Sequence, residues 1–183
     1  MTRAILLAAA PLIVLVACRE EPAGNEAAGP KSPAPAEKTA ASEPLGAPVS
    51  GDQAKKLMDD RHEGMEEIGD AFKLINREVK KGSPDLASIR PAAAKINELA
   101  GQSAGWFPPG TGPDVGKTRA KAEIWQKPED FAAKTRTFQQ VAAAFNAAAA
   151  GGDVAAIKAG AGELGKTCKA CHDLYRSEEK EHD

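Results

Sequence analysis

The sequence predicts an all-α protein folded as an antiparallel four-helix bundle. In four segments between residues 52 and 179, apolar residues recur three and four positions apart, which is the pattern of an amphipathic helix. No segment shows the apolar and polar alternation that is typical of a half-buried strand. The segments are joined by short connections, with one exception, and short connections favour antiparallel neighbours in a bundle.

The first helix is predicted from about residue 52 to residue 81. Seven residues form its heptad seam: Met58, Arg61, Met65, Ile68, Phe72, Ile75 and Val79. Such a seam over three heptads is typical of a helix that packs along one side. Arg61 is the charged member of the seam, where an unpaired charge is costly. Either its long stem reaches solvent or its guanidinium meets an anionic partner.

Glycine, proline and acidic residues mark the next helix ends. Gly82 is predicted to end the first helix, and Ser83-Pro84-Asp85 to start the second, which continues to about Ser103. Pro128 is predicted to start the third helix, and Gly151-Gly152 to end it.

The long connection spans residues 104–123 and contains a Gly-Trp-Phe-Pro-Pro-Gly-Thr-Gly-Pro run. A connection of this length is uncommon in a bundle, so we expect it to be ordered by its own packing. Trp106 and Phe107 are expected to cover one end of the core. The three basic residues that follow are expected to form a solvated face.

The fourth helix is predicted to begin after the cap residue Asp153 and to continue to about Glu179. Its apolar stripe consists of Val154, Ile157, Ala161, Leu164, Cys168, Cys171 and Tyr175. Cys168, Cys171 and His172 form a C-x-x-C-H run, the attachment signature of c-type haem. Residues three apart share a helix face, so both sulfurs can meet one porphyrin edge while the imidazole reaches the iron. We therefore expect one covalent haem c per chain, inside the helical core.

Three alternatives to haem are a redox-active C-x-x-C pair, a zinc site and a structural disulfide. A redox pair would be expected beside a βαβ pattern, which the sequence lacks. A zinc site would need a further ligand, and only His62 and His182 remain among the histidines. A disulfide would leave His172 without a role. The residues favour haem.

The N-terminus is predicted to direct export. Residues 1–17 read as a signal peptide, with Arg3 before an apolar run and small residues before Cys18. The ending Leu15-Val16-Ala17-Cys18 resembles the lipobox of bacterial lipoproteins, which implies cleavage before Cys18 and lipidation of its thiol. An ordinary soluble signal peptide is the alternative. A transmembrane anchor is disfavoured, because spanning a bilayer takes roughly 20 apolar residues.

Composition indicates how the rest of the chain is organised. Residues 18–50 are rich in Ala, Pro, Glu, Gly and Ser, so we expect a disordered tether after the lipidated cysteine. Residues 51–183 are expected to form the folded domain. The formal net charge of −2 gives no reason to expect a nucleic-acid partner. The expected location is the periplasm, with the protein held on the membrane through lipid.

Several pieces of the chain together resemble the class II cytochromes c, the cytochrome c-prime family. The haem motif lies near the C-terminus, as in that family, and the resemblance covers about residues 51–176. The matching pieces are Cys168 to Arg176, Arg61-x-x-x-Met65, Phe107-Pro-Pro-Gly-Thr111 and Ile124-Trp125. The resemblance implies a left-twisted four-helix bundle with haem c between its helices. A homodimer is one assembly it suggests, although the family's usual soluble signal is replaced here by a lipobox.

The resemblance also implies roles for single residues. His172 matches the proximal iron ligand, and Arg176, one turn later, matches an arginine beside it. Alternatively, Arg176 is a surface arginine that pairs with Asp173 or another carboxylate. Arg61 matches a position near a haem propionate. Met65 matches the residue over the distal face, where it either binds iron or only covers the site.

Two functions fit these residues. The first, which we prefer at this point, is a periplasmic electron carrier with iron held by His172 and, if it ligates, Met65. Its partners would be redox proteins of the periplasm or membrane. The second is a five-coordinate cytochrome c-prime that binds nitric oxide or carbon monoxide. No pattern of residues indicates an enzyme, since the sequence offers no nucleophile–base pair and no second metal site.

Overall fold

The first long helix, α1 (Gly51–Val79), packs along the predicted seam. The computed structural model describes residues 45–178. Three seam residues spaced seven apart, Arg61, Ile68 and Ile75, are buried, and so is Met58. The other three, Met65 among them, are half-buried and pack against the same core. The heptad prediction for this helix is confirmed.

The second helix is α2 (Leu86–Gln102). A cap at Ser83 would place its first residue at Pro84, two residues before the observed start. Asp85 is the N-cap, and its carboxylate accepts a hydrogen bond from the backbone amide of Ala87 at 3.0 Å. The prediction of Ser83 as the cap is therefore wrong. An N-cap carboxylate accepts a hydrogen bond from the amide two residues later, which has no carbonyl partner within the helix. A 3-10 turn (Ser103–Trp106) follows α2.

The long connection folds back onto the end of the bundle. Trp106 and Phe107 are each 6% exposed, so their expected place over the core is confirmed. A single turn of helix, α3 (Glu123–Gln126), lies at its end and was not predicted. Arg119 also departs from the expected solvated face, because its guanidinium donates to the backbone carbonyl of Ser177.

The last two helices are α4 (Pro128–Gly151) and α5 (Val154–Tyr175). The turn between them needs Gly152, which has a φ of 80°, and Asp153 then caps α5 as predicted. The predicted continuation of α5 to residue 179 is wrong. The chain leaves the helix at Arg176, because the carbonyl of Tyr175 accepts a hydrogen bond from the amide of Lys121.

Side-chain contacts show that neighbouring helices run antiparallel. Arg90 near the start of α2 donates to the carbonyl of Ala149 at the end of α4. The hydroxyl of Tyr175 at the end of α5 donates to Asp130 at the start of α4. Within residues 45–178 no strand is formed, and the one bridge pairs Ala120 with Arg176. The predicted all-α four-helix bundle is confirmed.

Residues 45–50, which we call the strap, pack on the bundle although they were expected in the tether. Leu45 is 7% exposed and belongs to the hydrophobic core. The amide of Val49 donates to the carbonyl of Pro109 at 2.9 Å. The folded unit therefore begins before residue 51, since an apolar side chain and a backbone amide both find partners there. Composition alone did not show this.

Two N-terminal predictions fall outside the described residues. The signal peptide and Cys18 both lie in residues 1–44. Among residues 45–178, no helix is long and apolar enough to cross a membrane.

Candidate haem site

The C-x-x-C-H residues lie on the last turns of α5. Cys168, Cys171 and His172 are all half-buried, and Leu164 and Tyr175 on the same stripe are buried. Cys171 packs against the hydrophobic core. Steps of three and four along a helix keep these side chains on one face, so the predicted stripe does carry both thiols toward the interior.

Both thiols are held in the neutral form. Burial raises the pKa of Cys168, and it raises the pKa of Cys171 to about 11 against the opposing charge of Lys134. Disulfide exchange and zinc binding both use the thiolate, which this environment disfavours. Within residues 45–178 no group of three or more His, Cys, Asp or Glu side chains is placed to hold a metal ion. The site fits a thioether-linked cofactor better than a thiolate-bound metal.

His172 is also held neutral. Its pKa is lowered by burial first, and then by the positive charges of Arg176 and Arg119. A neutral imidazole has the free nitrogen lone pair that a haem iron requires. The local electrostatics therefore favour the ligating form of this histidine.

Arg176 stands beside that ligand, and within residues 45–178 its side chain forms no ion pair with a carboxylate. Its backbone amide donates to the carbonyl of His172 at 3.0 Å, and its side chain is exposed. Asp173 pairs instead with Lys169, at 2.8 Å. Arg176 is thus a positive charge near the imidazole, as the resemblance implied; its contact with the cofactor stays a prediction.

A cleft opens beside Cys171, between α4 and α5. Its volume is about 250 Å³, and its walls are Lys134, Thr137, Lys166, Thr167, Ala170 and Cys171. One attachment thiol therefore borders a space open to solvent while its stem reaches the core. This is the arrangement expected of a cofactor whose edge lies at the surface of a bundle.

Met65 lies on α1 at the level of the haem motif. The ring of Phe72 packs so closely on Gly165 that a Cβ there would lie 3.1 Å from Phe72 Cζ. The N-terminal half of α1 and the C-terminal end of α5 lie at the same end of the bundle, since Thr118 bonds Arg61 while the adjacent Arg119 bonds Ser177. The two helices are therefore antiparallel.

The level of Met65 follows from that register. It lies seven residues before Phe72, and His172 lies seven residues after Gly165. Equal steps of 1.5 Å per residue in opposite chain directions bring Met65 and His172 to one level. This placement agrees with a distal position for Met65, and its bond to iron stays a prediction.

Arg61 is buried but finds its partners within the protein. Its guanidinium donates to the carbonyl of Trp106 and to both the carbonyl and the hydroxyl of Thr111. It also donates to the hydroxyl of Thr118 at 2.9 Å, and it lies 4.9 Å from the centroid of the Phe107 ring. Burial lowers its pKa to about 10. These bonds engage both terminal nitrogens of the guanidinium within the protein, and its contact with a propionate stays a prediction.

The residues present fit haem c. Cys168 and Cys171 would form the thioethers, and His172 would hold the iron, with the face of α1 that carries Met65 on the other side. These side chains are half-buried rather than sealed in the core, and burial favours the neutral form of both thiols and of the imidazole.

Sequence reasoning named Trp106 and Thr111 but did not predict the contacts that surround Arg61. Thr111 is fully buried, and its hydroxyl donates to the carbonyl of Pro108. Gly64 allows the indole of Trp106 to lie against α1, since a Cβ there would come within 2.5 Å of that ring. A glycine inside a heptad pattern was a usable signal. Thr118 offered none, because its role depends on a partner 57 residues away.

Comparison with known proteins agrees with this geometry. A family model described as cytochrome C' matches residues 56–176. A cytochrome c' of Pararhodospirillum photometricum is 33% identical over 116 residues, which are 63% of this chain and 92% of that protein.

Solved structures match as well. One is a cytochrome c' with a ligand-controlled dimer dissociation, with a TM-score of 0.64 and 29% identity over 70% of this chain and 99% of the other. Another is a ferrous variant of cytochrome c prime from Alcaligenes xylosoxidans with bound NO. Its TM-score is 0.62 and its identity 28%, over 69% of this chain and 97% of the other.

The fold, the placement of the C-x-x-C-H residues and the match over residues 56–176 lead to one assignment. This chain belongs to the cytochrome c' family, and its cofactor is covalently attached haem c.

Proposed function

We propose that this protein binds a small neutral gas, nitric oxide or carbon monoxide, at its haem. The observation that carries the proposal is the likeness, over 69% of the chain, to the Alcaligenes xylosoxidans protein whose structure holds NO. The electron carrier preferred on sequence grounds has weaker support, since the relatives compared above are cytochromes c'.

The bound haem would supply the iron at which a diatomic gas coordinates. His172 would hold the iron from one side, because burial and two nearby arginines favour its neutral imidazole. Met65 lies at the level of His172 and packs against the core, so Met65 and the adjoining apolar residues of α1 would form the wall on the other side of the haem. A small uncharged molecule loses little hydration free energy when it passes into such apolar surroundings, whereas an ion loses much.

We further propose that the domain works at the periplasmic surface of a membrane, held by lipid on Cys18. One support is the Leu-Val-Ala-Cys ending of the apolar run. The other is the C-x-x-C-H motif, because c-type haem is attached outside the cytoplasm in bacteria. A neutral gas partitions into membranes, so a binding protein tethered to the membrane would meet the gas there. A homodimer is also proposed, supported by the ligand-controlled dimer of the relative.

The test is a titration of the reduced holoprotein with carbon monoxide, with wild type beside Met65→Leu. We expect wild type to bind one carbon monoxide per chain, and the Leu variant to bind it with similar affinity. If wild type fails to bind and Met65→Leu binds readily, Met65 is itself an iron ligand. The electron-carrier function would then replace the proposed one.

A further inference from the structure

The strap is a feature of this chain outside the matched family region, which begins at residue 56. Leu45 reaches the core and borders a cavity of about 70 Å³ with Ala104, Phe131 and Thr135. This cavity lies at the end of the bundle that carries the haem motif, because Phe131 contacts Tyr175 with ring centroids 5.2 Å apart. The strap therefore docks near the haem end.

The strap also binds the loop formed by residues 107–111, which we call the proline loop. The amide of Val49 donates to the carbonyl of Pro109 at 2.9 Å. Gly110 has a φ of 91°, and a Cβ there would lie 2.0 Å from the carbonyl oxygen of Val49. Only glycine fits this approach, so the backbones of the strap and the proline loop are matched to each other.

The proline loop holds the wall opposite His172. Both terminal nitrogens of Arg61 donate to the carbonyl of Thr111, the last residue of the loop. Arg61 lies one helical turn before Met65 on α1. Trp106, directly before the loop, packs on Gly64, the residue that precedes Met65. Two contacts thus connect the proline loop to the turn of α1 that carries Met65.

We propose that the strap is a positioning element for the distal wall of the haem site. Leu45 anchors the strap in the core, Val49 holds the proline loop, and the loop, through Arg61 and Trp106, holds the turn that carries Met65. With the strap in place, the Met65 side chain is kept over the distal face and restricts entry of a ligand. The proposal deepens the proposed function and rests on it for its kinetic readout.

The experiment compares Leu45→Ala with Val115→Ala in the full-length holoprotein. Val115 lies in the connection of residues 104–123, outside the proline loop, and is 42% exposed, so its truncation removes apolar atoms without touching the core. The measured quantities are the rate of carbon monoxide association after flash photolysis, the haem absorption maximum, the melting temperature, and hydrogen exchange of the amides in residues 106–111. Leu45→Met is the conservative variant.

We expect Leu45→Ala to speed carbon monoxide association by about threefold or more, since loosening a gating segment changes ligand entry. Exchange in residues 106–111 should rise in the same variant, while Leu45→Met and Val115→Ala should resemble wild type. Gly110→Ala, which displaces Val49 without touching Leu45, should act in the same direction as Leu45→Ala.

An association rate unchanged in Leu45→Ala, with or without a lower melting temperature, would overturn the proposal and leave the strap a stabilising contact only. If wild type binds no carbon monoxide, the proposed function fails by itself. The strap is then judged on the other readouts. An unshifted haem absorption maximum and unchanged exchange in residues 106–111 would overturn it, and changes in both would support it.

Discussion

Both terminal nitrogens of Arg61 donate to one acceptor, the carbonyl oxygen of Thr111, at 3.1 Å each. The arginine is 5% exposed and the threonine is fully buried. A guanidinium can donate two hydrogen bonds to one oxygen because its N–H groups lie in a rigid planar fork. A side chain on α1 is thereby bonded to a loop 50 residues away.

Arg61→Lys should destabilise the holoprotein by about 2 kcal/mol, because a lysine ammonium cannot reproduce several buried hydrogen bonds to a charged group. Thr118→Val, which removes one acceptor of Arg61, should cost about 1 kcal/mol. The measurement is denaturant unfolding followed by circular dichroism. A loss below about 0.5 kcal/mol for Arg61→Lys would mean that these bonds contribute little.

Gly64 and Gly69 on α1 form a matched pair of test positions. Gly69→Ala should stabilise the protein by up to about 1 kcal/mol, because alanine has the higher helix propensity and nothing lies within 4 Å of the new methyl. Gly64→Ala should instead destabilise it by about 1–3 kcal/mol, since its methyl would overlap the buried ring of Trp106. Thermal unfolding of the two variants checks this. Equal stabilisation of both would show that Trp106 does not pack on Gly64.

Tyr175 is the only tyrosine of the chain, so tyrosinate absorbance reports this residue alone. Burial, and then its hydrogen bond to Asp130, raise its pKa from 10.0 to about 12. A folded-state pKa above the unfolded value means that the neutral phenol stabilises the fold at lower pH. That contribution is full below the unfolded pKa of 10.0 and is lost as pH rises toward about 12.

The measurement is an ultraviolet pH titration of wild type, with Tyr175→Phe as the blank for the haem. Asp130→Asn should lower the midpoint, because it removes the carboxylate that holds the phenol neutral. Titration of folded wild type near the ordinary tyrosine value would contradict the burial of this side chain.

Periodicity was sufficient to predict the four long helices, because a buried stripe imposes a spacing of three and four residues wherever a helix packs. The haem attachment residues were equally accessible, since C-x-x-C-H is local in the chain. The ends of the helices were harder to predict. Asp85 replaced Ser83 as a cap, and α5 ended at Tyr175, because both depend on hydrogen bonds that spacing does not reveal.

The partners of Arg61 and the strap could not be predicted for a different reason. Both depend on contacts between segments far apart in the chain, such as Val49 with Pro109. The composition of residues 18–50 as a whole indicates disorder, and a single leucine at position 45 does not change that average. Its burial becomes visible only when the cavity that receives it is known.

Cys18 remains the subject of a proposal, since it lies outside the described residues. We expect Cys18→Ser to move the protein from the membrane fraction to the soluble periplasmic fraction, because lipid on that thiol is the proposed anchor. Fractionation of cells expressing each form is the measurement. Wild type found in the soluble fraction would rule out lipid anchoring.

We propose that Met65 covers the haem face opposite His172 without binding the iron, so that a gas can bind there. Electron spin resonance of the oxidised, purified holoprotein tests it most directly, with Met65→Leu beside wild type. We expect a high-spin signal in both proteins, because a methionine that only covers the site can be replaced by leucine without a change in coordination. A low-spin signal in wild type that becomes high-spin in Met65→Leu would contradict it.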